Sequence, residues 1–288
     1  MTAHEQRGVV RTFMPNAKTI RFSDTGEENE VYIVDDELVF RFPKDEAAKK
    51  ALLFECELLE KLKGKVTLRI PIVVDYDKTG VYGVCRYIPG TVRKNSEICR
   101  FDSHKKAELA VALTQFINEL NGVVDPAWLT SFPDRSMSAR IDSFEYYEVI
   151  AGYTEAHRSD KSGEYLRWYE SLKSIRDEVY SQSHLAILHG DLHGGNLIFD
   201  KQDNLVGVID FGDCVYDTIY NELKVLARLG PEVVEHCIKH LGQAFGTIKR
   251  DYVRTCVMAH EYSVLVRTSS SDERKRLASE ILHEWGEV

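Results

Sequence analysis

The hydrophobic pattern of the chain changes its period at Ile88-Pro89-Gly90, and this change limits the possible folds more than any other feature. Before the tripeptide, short runs of Val, Ile, Tyr and Phe are separated by Asp, Gly and Asn, which is typical of strands joined by turns. After it, apolar residues recur three and four positions apart, which is typical of amphipathic helices. A chain with both patterns in this order is neither all-α nor all-β, and we expect an α+β fold.

The first pattern predicts an antiparallel sheet packed against one helix. The predicted strands are 19–22, 30–34, 37–42 and 81–87, and the predicted helix is 45–62. The second pattern predicts a mainly helical part, with helices at about 102–120, 138–156, 163–182, 217–229, 231–243, 249–267 and 272–285. We therefore expect residues 1–88 and 96–288 to form two lobes joined by a linker at 89–95.

The composition narrows the class of protein. Thirty-seven Lys and Arg face 46 Asp and Glu among 288 residues, a formal charge of −9 that does not favour binding to nucleic acid. Apolar stretches are too short for a membrane span, and residues 1–10 are too polar for a signal peptide. Six irregularly spaced cysteines without a C-x-x-C pair favour reduced thiols. We expect a cytoplasmic monomer without nucleic-acid or membrane partners.

A stretch of short strands and loops at 186–213 interrupts the helical part. It reads HGDLHGGN at 189–196 and VGVIDFGD at 206–213. A strand–turn–strand hairpin would place Asp191 and Asn196 at one end and bring Asp210 near the same end. Two carboxylates and a carboxamide in this arrangement suit phosphoryl transfer, because one carboxylate can orient the attacking hydroxyl while the other oxygens hold Mg²⁺.

Two other interpretations of this stretch stay open. Its Asp, Asn and Gly residues could only cap turns, since these residue types favour turns. Alternatively, His189, Asp191 and His193 could bind zinc in a metal hydrolase. The glycines at 190, 194 and 195 argue against the helix that would place both histidines on one face.

The spacing H-x-D-x4-N at 189–196, followed by I-D-F-G at 209–212, resembles the catalytic loop and metal-binding motif of kinases. The H-G-D form resembles the aminoglycoside phosphotransferase family, and within it most of all the branch of the 2″-phosphotransferases. This resemblance implies a two-lobed protein-kinase-like fold with Asp191 as the catalytic base. It also implies that Asn196 and Asp210 bind Mg²⁺ and that His189 is an orienting residue.

The resemblance further implies a nucleotide site in the first lobe. The turn within 22–32 lies where this family holds the nucleotide phosphates, and Gly26 is its only glycine. The strand that follows resembles the one that carries a phosphate-binding cation. The alternation along that strand places Arg41 in this position, whereas Lys44 lies just past a proline and reads as a turn residue.

The helix at 45–62 should supply the acidic partner of that cation. Glu55 lies on its apolar side and is the expected partner, with Glu57 as the alternative. The strand at 81–87 resembles the hinge of the family, so backbone groups near Cys85 and Tyr87 would hold the base. ATP is the expected phosphate donor, and GTP stays possible.

Acidic residues after the metal motif suggest the acceptor. Asp213, Asp217 and Glu222 could attract a cationic small molecule, and the resemblance makes an aminoglycoside the expected acceptor. Asp217 could instead cap a helix, and Glu222 could lie on its solvated face. A kinase of macrolides, or of amino-alcohol or amino-acid metabolites, is the alternative enzyme, and a non-catalytic nucleotide-binding module is the alternative outside catalysis.

Overall fold

The structure, a computed structural model, describes residues 1–23, 28–132 and 143–286. The chain divides into two compact units. The first consists of Met1–Val92 with Asn196–Asp213, and the second of Arg93–Gly195 with Cys214–Val288. The expected lobes joined at 89–95 stay a prediction. Within the described residues, no helix is both long and apolar enough to cross a membrane.

Strands predominate in the N-terminal part of the chain, and helices predominate in the C-terminal part. The strands are β1 (Ile20–Ser23), β2 (Asn29–Val34), β3 (Leu38–Pro43), β4 (Val73–Tyr76), β5 (Gly83–Arg86), β6 (Thr91–Val92), β7 (Leu185–Leu188), β8 (Leu197–Phe199), β9 (Leu205–Val208) and β10 (Val215–Thr218). The helices are α1 (Ala3–Phe13), α2 (Glu46–Leu62), α3 (Asn95–Ile98), α4 (Ser103–Val123), α5 (Pro126–Thr130), α6 (Ser143–Ala156), α7 (Ser162–Ser174), α8 (Arg176–Val179), α9 (Ile219–Leu226), α10 (Pro231–Phe245), α11 (Arg250–Val266) and α12 (Asp272–Gly286). Single 3₁₀ turns occupy Gln182–His184, Gly194–Asn196, Phe211–Asp213 and Ala227–Leu229.

The first unit is built on a five-stranded antiparallel sheet with the strand order β1-β2-β3-β5-β4. Side chains alternate between the two faces along its central strand, β3. Arg41 lies opposite Val31 of β2 and Gly83 of β5 on one face. Phe40 and Phe42 lie on the other face and are buried in the hydrophobic core. The register therefore sets one charged side chain in the middle of an otherwise apolar strand.

Helices cover both faces of this sheet. α1 begins at a capping box formed by Thr2, and its Phe13 packs edge-on against Phe40. α2 begins where the Asp45 carboxylate accepts the Ala48 N–H at 2.8 Å. Its buried stripe is long, because apolar residues recur at helical spacing over its whole length. α2 thus lies as a fixed support on the Arg41 face of the sheet.

Residues 196–213 belong to the first unit through two sets of backbone pairs. β8 pairs antiparallel with both β6 and β9. The loop before β4 adds two hydrogen bonds, since Arg69 donates to Val206 at 3.1 Å and accepts from Val208 at 2.9 Å. The hairpin β8–β9 is therefore anchored on both sides by the N-terminal part of the chain.

The second unit places β7 and β10 as an antiparallel pair among helices. α4 lies against β7, and the Asn121 side chain completes the free edge of that strand. Its amide nitrogen donates to the Ile187 carbonyl at 2.8 Å, and its oxygen accepts the Ile187 N–H at 2.7 Å. β7 ends at Leu188, one residue after Ile187. This pair of hydrogen bonds therefore holds the end of the strand from which the 189–195 loop continues.

The expected fold class, a two-lobed kinase-like α+β fold, is confirmed by the antiparallel sheet in the first unit and the helices of the second.

The sequence pattern missed α1 and β4. The helix expected at 217–229 was wrong at its start, because Val215–Thr218 forms strand β10 first. The helix expected at 163–182 ends at Ser174 and is followed only by the short α8. Part of the helix expected at 138–156 lies outside the described residues.

Candidate active site

Arg41 and Glu55 form a buried ion pair in the first unit. The distance from Arg41 Nη2 to Glu55 Oε2 is 2.6 Å, and the side chains are 14% and 3% exposed. Burial alone would lower the pKa of Arg41, but the Glu55 carboxylate reverses this and holds the pKa above its ordinary value. Lys44 and Glu57 are both exposed. The structure therefore brings together the two residues that the sequence pattern paired, and leaves their alternatives on the surface.

The second carboxylate oxygen of Glu55 accepts a hydrogen bond from the I-D-F-G segment at 209–212, which we call the metal motif. Glu55 Oε1 accepts the backbone N–H of Phe211 at 3.2 Å, and Phe211 is fully buried. The preceding residue, Asp210, is exposed and has a left-handed backbone with φ +68°. Asp and Asn tolerate this region better than other side chains with a Cβ. The turn at Asp210 thus presents its carboxylate to solvent while the next residue anchors to Glu55.

Asn196 and Asp210 lie at the same end of the β8–β9 hairpin. Asn196 precedes β8 and is 7% exposed, and its carbonyl accepts the N–H of Ile209 at 3.0 Å. Because the strands are antiparallel, the residue before β8 and the residues after β9 meet at one end. A carboxamide and a carboxylate supply the oxygen ligands that Mg²⁺ prefers. The chemistry of these two side chains therefore suits Mg²⁺, and their role as its ligands stays a prediction.

In the second unit, the Asp191 carboxylate is flanked by two nitrogen groups. His193 Nε2 lies 3.2 Å from Oδ2, and Arg228 Nη1 lies 3.6 Å from Oδ1. His193 Nδ1 accepts the Gly195 N–H at 3.0 Å, which assigns the proton of the ring to Nε2. Burial would raise the pKa of Asp191, but the His193 hydrogen bond and the nearby cations hold it below its ordinary value. Asp191 is therefore a carboxylate at neutral pH.

Two buried residues fix the backbone beside Asp191. His189 is fully buried, and its Nδ1 accepts the Asp191 N–H at 3.4 Å. Glu222 of α9 is also fully buried, and its Oε2 accepts the Gly190 N–H at 3.1 Å. Burial raises the pKa of Glu222 to about 7, although hydrogen bonds from the Gly190 and His189 backbone oppose this. Both side chains therefore act on the loop conformation.

A glycine allows this loop to lie close to its neighbours within the second unit. A Cβ on Gly194 would collide with the carbonyl of Arg93, and the Gly194 N–H donates to Asn95 Oδ1 at 2.8 Å. Any larger residue at this position would push the loop that follows Asp191 out of place. The H-G-D-L-H-G-G-N spacing thus has a packing reason in addition to a chemical one.

The three acids expected to contact the acceptor have different environments. Asp213 is exposed at the end of a 3₁₀ turn. Asp217 is 7% exposed within β10, and its carboxylate accepts from the Thr218 N–H at 2.6 Å and the Asn221 amide at 2.7 Å. Glu222 is fully buried, so the solvated-face interpretation of this residue was wrong. The helix cap at α9 is Thr218, so the N-cap interpretation of Asp217 was wrong as well.

The remaining nucleotide-site candidates lie at or near β5. Cys85 is buried and pairs with Val39 and Val73 across the sheet. Tyr87 follows β5, and its N–H donates to the Glu37 carbonyl at 2.9 Å. Gly26, the glycine of the expected phosphate loop, lies outside the described residues. Within the described part of the chain, no three His, Cys, Asp or Glu side chains are grouped to hold a metal, which does not favour the zinc interpretation of His189, Asp191 and His193.

Sequence reasoning missed Arg228 as a neighbour of Asp191 and considered His193 only as a zinc ligand. His193 could have been found from its place in the motif, two residues after Asp191. Nothing in the sequence marks Arg228, which lies in the 3₁₀ turn after α9 and reaches Asp191 only through the tertiary fold.

Solved structures with the same fold cover nearly the whole chain. The streptomycin–ATP–APH(2″)-IIa ternary complex is 18% identical with a TM-score of 0.73, covering 98% of this chain and 97% of that chain. ADP-bound APH(2″)-Ib is 19% identical with a TM-score of 0.73, and coverage is 98% of each. The apoenzyme of macrolide 2′-phosphotransferase MphH from Brachybacterium faecium is 14% identical with a TM-score of 0.68, again at 98% of each.

No curated protein sequence is similar enough to count as a relative of this chain. The sequence model of the APH family, described as the phosphotransferase enzyme family, matches residues 19–256. This match includes the Arg41–Glu55 pair, the Asp191 loop and the metal motif. Because it spans most of the chain, the protein belongs to the phosphotransferase enzyme family.

Proposed function

We propose that this phosphotransferase moves the terminal phosphoryl group of ATP or GTP to a hydroxyl of a small molecule, with an aminoglycoside as the first candidate acceptor. The observation that supports this best is the environment of Asp191. A half-buried carboxylate held ionised by His193 and Arg228 can accept a hydrogen bond from an alcohol and orient its lone pair for attack.

The first unit would hold the donor. Arg41, fixed by Glu55, supplies a buried positive charge suited to a nucleotide phosphate. Asn196 and Asp210 would hold Mg²⁺, which neutralises phosphate charge when it is bound. The hydrogen bond from Phe211 to Glu55 ties the conformation of the metal motif to the Arg41 ion pair. One carboxylate therefore orders both parts of the donor site.

The proposed reaction forms one bond and breaks one bond. The acceptor hydroxyl oxygen bonds to the terminal phosphorus, the bridging P–O bond of the nucleotide breaks, and a nucleoside diphosphate leaves. The hydroxyl proton passes to an Asp191 oxygen as its acidity rises on bond formation. Because the pKa of Asp191 is low, its main contribution is to orient the hydroxyl, and the proton moves late.

Two acceptor classes have separate support. The solved structures with the same fold include complexes of aminoglycosides, and Asp213 offers an exposed carboxylate to a cation. A small hydroxylated amino-acid or amino-alcohol metabolite is the second candidate. The observation that favours it is Arg228 beside Asp191, because a guanidinium next to the attacking hydroxyl repels a polycation and attracts an acid group.

We further place the enzyme in the cytoplasm as a monomer. The support for the compartment is the set of six free cysteines, of which five are buried. Light scattering on the purified chain at micromolar concentration checks the monomer. A stable dimer would contradict it.

The test of phosphoryl transfer compares the wild type with Asp191→Asn on a panel of aminoglycosides, macrolides and small amino alcohols, each with ATP and with GTP. The variant should lose roughly 10²- to 10⁴-fold in kcat, because a neutral amide orients the hydroxyl less well than a carboxylate and cannot take its proton. Nucleotide affinity by calorimetry should stay within about twofold, since the change leaves Arg41, Glu55 and Asp210 in place. Near-normal transfer by the variant rejects the role of Asp191. A wild type that binds nucleotide but transfers to no acceptor supports the non-catalytic module.

A further inference from the structure

A cluster of ionisable groups in the second unit begins beside the catalytic carboxylate, and only its first member, Arg228, has a part in the proposed phosphoryl transfer. It consists of Arg228 after α9, His260 and Glu261 of α11, and Arg274 of α12, and we call it the guanidinium cluster. Arg228 Nη1 lies 3.6 Å from Asp191, Arg274 Nη2 lies 3.4 Å from His260 Nε2, and that nitrogen lies 4.0 Å from Glu261 Oε1. Glu261 is 1% exposed.

Three atoms of this cluster are left without a hydrogen bond in the part of the chain that the structure describes. Arg228 Nε, His260 Nδ1 and Glu261 Oε2 are buried, and none has a hydrogen-bond partner within residues 1–23, 28–132 and 143–286. Buried polar atoms in folded proteins almost always have a hydrogen-bond partner, because a buried atom without one is destabilising. Three such atoms in one cluster, one of them on the arginine beside Asp191, indicate that a ligand completes their hydrogen bonds.

The cluster carries a net positive charge. Burial and the nearby Lys224, Arg228 and Arg274 lower the pKa of His260 well below its ordinary value, so its ring is neutral. The partner of the Arg274 guanidinium is therefore a neutral imidazole. Burial lowers the pKa of Arg228, and the Arg274 charge lowers it further. Two guanidinium groups near the single carboxylate of Glu261 leave the cluster with a net positive charge, which an anionic ligand would offset.

The carboxylate of Glu261 also has an oxygen without a hydrogen bond among the described residues. Glu261 lies beside the guanidinium groups, yet burial raises its pKa against their attraction, and its Oε2 has no hydrogen-bond partner in the described chain. A ligand that carried only negative charge would leave this oxygen as it is. A ligand with an amine as well as an acid group would satisfy both kinds of atom.

We propose that the guanidinium cluster binds an anionic group of the acceptor, a carboxylate or a phosphate, through Arg228 and Arg274, while Glu261 binds an amine of the same molecule. This rests on the proposed phosphoryl transfer, and it favours a small hydroxylated zwitterion as the acceptor. Arg228 lies 3.6 Å from Asp191. The acid group that binds Arg228 and the hydroxyl that binds Asp191 must therefore be separated by only a few bonds in the acceptor.

The test measures binding to the purified full chain without nucleotide, by calorimetry and thermal shift, using matched probes that differ in the acid group. L-homoserine is compared with 3-aminopropan-1-ol, L-serine with ethanolamine, and glycerol 3-phosphate with glycerol. The member with the acid group should bind at least about tenfold more tightly than its counterpart. The amino-acid pairs report a carboxylate and the glycerol pair a phosphate. If no acid-bearing probe binds better than its counterpart, the proposal is wrong.

Variants on α12 show whether the cluster is responsible. Arg274→Met should weaken binding of the preferred acid-bearing probe roughly ten- to hundredfold, and Arg274→Lys should restore part of it because the charge remains. Arg276→Met is the matched control, since Arg276 lies on the same helix, is 71% exposed and forms a surface ion pair with Glu280. Equal binding by the wild type and a folded Arg274→Met would overturn the proposal.

The outcome is separate from that of the proposed reaction. Asp191-dependent phosphorylation of an aminoglycoside, without binding of any acid-bearing probe, would keep phosphoryl transfer and reject the anion site. Binding that depends on Arg274, without transfer to any acceptor, would keep the anion site as a feature of the second unit and reject the proposed reaction.

Discussion

Glu55 of α2 accepts the backbone N–H of Phe211, 156 positions later in the chain, with one carboxylate oxygen. Its other oxygen pairs with Arg41. One buried carboxylate therefore links the central strand of the sheet, the helix that packs on it and the metal motif. Removal of this carboxylate should leave Arg41 without its counter-charge and the metal motif without its hydrogen bond. An acid with a single partner would lose only one of these interactions.

The first prediction concerns the stability of this link. Glu55→Ala leaves the Arg41 guanidinium buried without its counter-charge, and the free energy of unfolding should fall by about 3–5 kcal/mol. Glu55→Gln should lose less, because its amide oxygen can still accept the Phe211 N–H. Urea unfolding followed by circular dichroism measures both, with Glu57→Ala on the exposed side of the same helix as the control. A loss of equal size at both positions would remove the special role of Glu55.

The second prediction separates the backbone of Asp210 from its charge. Asp210→Ala should abolish magnesium-dependent nucleotide binding and also cost about 1 kcal/mol in stability, because φ is +68°. Asp210→Asn should lose the metal dependence and keep the stability. Asp203, with φ +58° in a surface turn, gives the control Asp203→Ala, which should lose stability and keep nucleotide binding. Calorimetry with and without Mg²⁺ checks this, and unchanged metal dependence in Asp210→Asn contradicts it.

The third prediction is a pH profile. The carboxylate form of Asp191 is the active form, and the His193 hydrogen bond helps to hold its pKa low against burial. In His193→Leu this support is absent, so the pKa rises and the acidic limb of kcat/KM moves to higher pH. His193→Gln retains a donor and should leave the limb nearer its original position. An acidic limb that stays in place in His193→Leu would show that another group controls it.

The fourth prediction concerns Glu222 and stability. Its pKa is near 4.5 when unfolded and about 7 in the folded protein, so the folded state binds the proton more tightly. The contribution of Glu222 is full below pH 4.5 and is lost as the pH rises through 7, by about 3 kcal/mol in total. Glu222→Gln cannot ionise, so its stability relative to the wild type should rise between pH 4.5 and 8. Urea midpoints at pH 5 and pH 8 decide this, and a constant difference refutes it.

The sequence was informative where chemistry and local pattern coincide. Alternation along β3 placed Arg41 rather than Lys44 on the inner face, and the helical stripe of α2 placed Glu55 there as well. Asn196 and Asp210 lie at one end of a hairpin whose strands are close in sequence, so their proximity could be predicted without the fold.

Other features depend on contacts between distant segments, and no local pattern encodes them. Arg228 reaches Asp191 from the end of another helix, and Glu222 is buried although its neighbours in sequence do not require it. β4 reads poorly as a strand because it is an edge strand with a register irregularity and partly exposed side chains. The segment 215–218 pairs with β7, and this pairing overrides a helical pattern that begins within it.

The discontinuity of the first unit has a consequence for how the protein is made. Among the residues that the structure describes, β6 pairs with β8 alone, so it cannot pair before β8 is synthesised. Arg69 likewise cannot form its backbone hydrogen bonds until Val206 and Val208 have emerged from the ribosome. Residues 1–92 therefore complete their packing only after synthesis has passed Asp213. More than a hundred residues of the second unit are synthesised before that point. A fragment that ends at Val92 would lack two strands and the Phe211 anchor of Glu55, and the nascent chain should resist proteolysis only once this late segment has been translated.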